Sequence, residues 1–169
     1  METGNRTDLR VKKTEAAIKG AFKEMILEMK LSEITVKELS ERAQIHRKTF
    51  YLHYTSIEAL FEDLIQDIAD AYFKEIDRIP ASMPMPEVNR VFFTFFSRQE
   101  PYVEKILCSA EYQELFDSTL RIRLMQHNRA RHNPYARLPQ EEQDIINTFL
   151  TKSSASMYRQ WAADGKKIP

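Results

Sequence analysis

A chain of 169 residues, 43% hydrophobic and 30% charged, is long enough for one mid-sized domain or a small module joined to a second lobe, and too apolar for disorder. Lys+Arg and Asp+Glu stand at 25 each, so net charge alone names no partner; a single cysteine, Cys108, excludes an internal disulfide and a cysteine-based zinc site. Only three glycines favour helices with short loops over hairpin-rich sheets.

No N-terminal basic-then-apolar segment resembles a signal peptide, and no apolar run approaches ~18–20 residues. A soluble cytoplasmic chain with no membrane partner is expected. Along the chain the charge is uneven: residues 6–54 carry eleven Lys/Arg against seven Asp/Glu, a local +4 that points an anionic partner toward the N-terminal third.

In chain order, residues 8–29 place Val11, Ile18, Phe22, Met25, Ile26 and Met29 at spacings of three, four and seven, which predicts an amphipathic helix. After the connector LSEI, Thr35 opens TVKE, a capping box in which Thr35 accepts from the Glu38 amide while Glu38 reaches back. The helix it starts carries Val36, Leu39 and Ala43 on one side and stops near Gln44. HRKTFYLHY then predicts a second short helix, with Phe50 and Tyr54 inward and Arg47, Lys48, Thr49 and Tyr51 outward. Two helices of about eight residues joined by a three-residue turn have the dimensions of a helix-turn-helix. Arg, Lys and polar groups on such a helix suit base edges in a major groove, and Thr, Tyr and Lys suit phosphates.

Thr55 or Ser56 caps a longer helix with Leu60, Phe61, Leu64, Ile68, Tyr72 and Ile76 as its buried stripe, running toward Arg78. IPASMPMPE marks a linker or sharp bend. Further helices are expected through VNRVFFTFFSRQ, from Pro101 to about Ala110, over 111–127, and over 140–163; the last carries Ile145, Ile146, Phe149, Leu150, Met157, Tyr158 and Trp161. RARHNPYARLP reads as a polar connector.

The run TVKELSERAQIHRKTFYLHYTSIEALF closely resembles the DNA-binding core of the TetR family of bacterial transcription regulators. Thr35, Val36, Leu39, Ser40, Ala43, Ile45, Thr49, Phe50, Tyr51, His53, Ser56, Glu58 and Leu60 match its pattern without gaps. The resemblance implies an all-α fold: a helix-turn-helix DNA-binding domain over 1–55, a connecting helix over 56–80, and a helical dimerisation and ligand-binding lobe over 81–169. It implies that Thr35 caps the second helix and touches phosphate, that Arg47, Lys48 and Thr49 face base edges, and that Tyr51 and His53 grip phosphate. His46 and Ser56 are counted with them as DNA-binding positions. Three positions depart from the pattern: Gln44 stands for the turn glycine, His46 for a Ser/Thr N-cap, and Ile57 for a lysine that would contact phosphate.

FFTFFSRQEPYVEKIL and YRQWAADGKKIP are similar to C-terminal lobes of small regulators of this family in low-GC Gram-positive bacteria. That similarity implies a homodimer on a pseudo-palindromic double-stranded DNA operator, and a repressor released by a small apolar or aromatic effector. Its relatives continue past an IP dipeptide into a further helix, so a chain stopping at Pro169 would build its dimer bundle from different helices. The aromatic cluster reads either as core or as a pocket lined by Phe92, Phe96, Tyr102, Tyr112 and Phe116. KSSAS at 152–156 reads as a close helix contact, within or between chains. Cys108, beside Ile106 and Leu107, reads as a buried structural thiol. His127 and His132 have no paired acid to make a metal site. No catalytic set, metal or cofactor motif stands out, so the chain is expected not to be an enzyme. The alternative is a helical protein-interaction or co-activator subunit that keeps the fold with weak or no DNA binding.

Overall fold

The computed structural model describes residues 3–80, 83–130 and 135–167. Eight α-helices and no strand occur among them: α1 (Thr3–Glu28), α2 (Val36–Arg42), α3 (Arg47–His53), α4 (Ile57–Ile76), α5 (Met85–Ser97), α6 (Pro101–Cys108), α7 (Ala110–Ala130) and α8 (Gln140–Ala163), with a 3-10 turn at Leu31–Glu33. The chain divides into two compact units, Met1–Leu64 and Ile65–Pro169. His132, within the polar connector, Ala81 and Ser82 of the proline-rich bend, and the terminal Ile168 and Pro169 lie outside the described residues.

In the first unit the stripe of α1 packs as its spacing dictates: Ile18, Phe22, Met25 and Ile26 are buried, and Phe22 meets Phe61 of α4 edge to face at 6.4 Å. Val11, expected on that stripe, is exposed. Leu39 of α2 and Phe50 of α3 complete a small core. Burying one such side chain contributes about 1.5–3 kcal/mol.

The ends of α2 are set by local chemistry. The Glu38 N–H donates to Thr35 Oγ1 at 3.2 Å, and the Thr35 hydroxyl donates to Glu38 Oε2 at 2.7 Å. The expected reciprocal bond is thus made hydroxyl to carboxylate, not carboxylate to the Thr35 amide. At the other end Gln44 N–H reaches Glu41 O and Ile45 N–H reaches Ser40 O, at 3.2 and 2.9 Å. This is the paired-bond C-terminal cap that needs one left-handed residue, and Gln44 supplies it at φ 55°. An L side chain there costs about 1–2 kcal/mol that glycine would not.

In the second unit prolines punctuate the helices: Pro84 and Pro86 at the start of α5, Pro101 at the first position of α6, and Pro139 ahead of α8. A missing N–H is harmless in a first helical turn. Phe92, Phe96, Tyr102, Tyr112 and Phe116 are all buried; Phe96 lies 4.4 Å from Phe92 and 6.0 Å from Phe116 between ring centroids. Arg159 of α8 lies largely buried, donating to Leu107 O at 2.6 Å and pairing with Asp117 of α7 at 2.6 Å. Ser154 donates to Asn89 Oδ1 at 2.8 Å, so part of KSSAS faces α5 within the chain. Of the apolar residues expected on the last helix, Ile145, Phe149 and Met157 are exposed. α8 ends in the same paired-bond cap as α2, here with Gly165 in the left-handed position.

Candidate nucleic-acid interface

The turn between α2 and α3 spans Ala43–His46. Its left-handed Gln44 redirects the chain, and α3 then runs for seven residues with Phe50 as its buried anchor. Tyr54 caps its end; burial and the carboxylates of Asp63 and Glu15, both of which accept from it, push its hydroxyl far above the ordinary tyrosine range. Asp63 is also paired with Lys19 of α1 at 2.7 Å. These bonds tie the end of α3 to α1 and α4, which holds the short helix in one orientation.

With about 100° per residue, positions two before and two after Phe50 lie about 200° from it, on the face opposite the core. Those positions are Lys48 and Leu52; Tyr51 lies about 100° and Arg47 about 60° round the helix from Phe50. Lys48, Arg47 and His46 are exposed, Tyr51 is 58% exposed and Leu52 84%. Neither Arg47 nor Lys48 has a carboxylate partner among the described residues, whereas Arg42 of α2 is held by Glu28 of α1 through two bonds of 2.7 and 2.6 Å. Thr49 and His53 are half-buried at the sides of α3. His46 makes no side-chain cap bond.

Thr35 is exposed at the start of α2, with its hydroxyl engaged in the cap. Ser56 is half-buried; its Oγ accepts from Ala59 N–H at 3.2 Å, and its hydroxyl bond to Glu58 holds that carboxyl below the usual range. Ile57, which stands where the family pattern has lysine, is only 7% exposed. Its side chain is part of the core, so a lysine ammonium at this position would need a different course to reach solvent.

The eight expected positions therefore lie on α3 or at the starts of α2, α3 and α4, and Leu52 is an outward-facing position that the motif does not include. The sequence does carry a signal for it: an apolar residue two positions from the buried anchor of a short helix points outward.

The five aromatics read as a pocket fill the core of the second unit, and none lines its described groove. That groove, about 860 Å³, is open and lies between α5 and the end of α8. Phe93, Thr94 and Ser97 face Met157, Gln160 and Trp161 across it, with Arg90, Asp164 and Lys167 on its rim. Cys108 is half-buried rather than enclosed; burial and then Glu104 push its thiol above the ordinary value. His127 stacks on Phe73 at 4.6 Å and meets Asp77 at 3.2 Å. No helix among the described residues is long and apolar enough to cross a membrane.

An all-α chain whose short α2 and α3 meet in a helix-turn-helix over a small core has the TetR-like fold. A solved structure from Vibrio parahaemolyticus, described as a transcriptional regulator of the TetR family, superposes with a TM-score of 0.55, covering 89% of this chain and 86% of that one at 15% identity. The uncharacterized HTH-type transcriptional regulator YxbF of Bacillus subtilis (strain 168) is 31% identical over 62 residues, 37% of this chain. This chain spans 16% of the length of that relative. No protein-family model matches.

Proposed function

We propose that the chain is a sequence-specific regulator of transcription that binds duplex DNA through α3. The observation that carries this reading is the division of α3: Phe50 is fully buried, while Arg47 and Lys48 stand exposed beside Tyr51 with no carboxylate partner among the described residues. Cations of that kind displace counterions from phosphate and reach base edges in a major groove. The departures from the family pattern at Gln44 and Ile57 fit the fold, since Gln44 takes the left-handed turn and Ile57 joins the core.

The finer reading is a homodimer that places two α3 helices about 34–36 Å apart on a pseudo-palindromic operator. The large apolar side chains left open on α7 and α8, Ile122, Ile145 and Phe149, support self-association. Regulation is proposed as repression relieved by a small apolar or aromatic effector, and the Phe93/Trp161 groove, rather than the buried Phe92 cluster, is the place that suits it.

Selection from a random duplex library, followed by binding titrations across salt, tests the reading. It predicts enrichment of a two-fold symmetric site and an affinity that falls steeply with salt. A chain that enriches no duplex, or binds without salt dependence, would favour the protein-interaction alternative.

A further inference from the structure

Leu52 is the most exposed of the large apolar side chains among the described residues, at 84%. Isolated exposed leucines are common on protein surfaces and by themselves mean little. This one sits opposite the buried Phe50 on a seven-residue helix, four residues after Lys48 and next to Tyr51. It has no part in the small core and offers no hydrogen bond or charge to a phosphate.

We infer that Leu52 reads the C5-methyl group of a thymine in the major groove and so sets base preference at one position of each half-site. The inference rests on the DNA-binding reading of α3. The major-groove edges of the bases are otherwise rows of donors and acceptors, and the thymine methyl is their one apolar feature. A leucine projecting from the same outward face as Lys48 finds in such a methyl the apolar partner that distinguishes one base from the others. Lys48, one turn earlier, supplies the polar contact on a neighbouring base or phosphate, and the leucine adds discrimination that a charge cannot.

The experiment uses the full chain and the duplex it enriches from a random library. Each thymine in a half-site is replaced in turn by deoxyuridine, which keeps every hydrogen-bonding group and removes only the methyl. At one thymine per half-site the replacement weakens binding about fourfold, the effect of leaving roughly one buried methyl group uncovered. Leu52→Ala binds the thymine duplex more weakly and loses its sensitivity to uracil at that position, while its thermal midpoint stays that of the parent chain because the side chain is solvent-exposed. Unchanged binding to every uracil-substituted duplex, or a Leu52→Ala chain that keeps the parent's sensitivity, would overturn the inference and leave DNA binding standing. Enrichment of no duplex at all would overturn both.

Discussion

At the scale of single residues, Gln44 shows how a departure from a sequence pattern can be absorbed at a cost. The turn after α2 needs one left-handed residue, and glutamine adopts φ 55° because two backbone bonds, to Ser40 O and Glu41 O, define the cap around it. Gln44→Gly removes the steric penalty and adds back some chain entropy in the unfolded state. The expected net effect is a gain of about 0.5–1 kcal/mol, read as a higher denaturant midpoint at unchanged slope; a lower midpoint would show that the glutamine side chain contributes more than its backbone costs. Ile57 shows the opposite case. A position that suggests a missing cation is a core residue, because apolar character there serves packing that a linear pattern does not display.

At the scale of elements, caps decide where the short helices begin and end. Ser56 closes the first turn of α4 by accepting from Ala59 N–H, and its hydroxyl bond lowers the Glu58 pKa. A depressed carboxyl contributes stability above its unfolded pKa, and loses it as pH falls through the lower folded value. Ser56→Ala should therefore cost about 1 kcal/mol near neutral pH. The Glu58 titration should move up toward the ordinary carboxylate range, and the stability gap between the two chains should narrow in acid. A Glu58 titration that does not move would contradict the bond.

Helix boundaries are the most legible part of this molecule. The sequence places the last helix at 140–163, and α8 spans Gln140–Ala163, because Pro139 ahead of it and Gly165 after it are unambiguous stops. Which apolar residues of α8 are covered is not legible. Periodicity puts Ile145 and Phe149 on one stripe, but only packing shows that no described neighbour covers it. Aromatic density likewise does not separate core from pocket: Phe92 and Phe96 close on each other, while Phe93, one position along, faces the groove. Five of the eight candidate DNA positions, Thr35, Thr49, Tyr51, His53 and Ser56, match the gapless motif, while His46 departs from it. The motif leaves open the residue types at Arg47, Lys48 and Leu52 alike, and only the helical arc relative to Phe50 marks Leu52.

At the scale of the molecule, the apolar face of α8 carries the proposal of self-association. Phe149→Glu places a charge on a side chain already 67% exposed, so the monomer fold is little disturbed. Sedimentation should show a dimer for the parent chain and a monomer for this variant; a variant that remains dimeric would place the interface elsewhere. A dimer also doubles the α3 helices on one operator, which makes affinity far more sensitive to each residue of α3 than a single helix would be.

On this account α3 grips DNA through Arg47 and Lys48, cations without a carboxylate partner among the described residues. The most direct test is the salt dependence of binding to the selected duplex, comparing the parent chain with Arg47→Ala and Lys48→Ala. Where the deleted cation binds phosphate, the slope of log affinity against log salt should become shallower by about two ions per dimer, one from each half-site. Where it reads a base edge instead, its removal should cost about 1–3 kcal/mol and relax the selected sequence. Affinity, slope and sequence preference all unchanged in both variants would contradict the account.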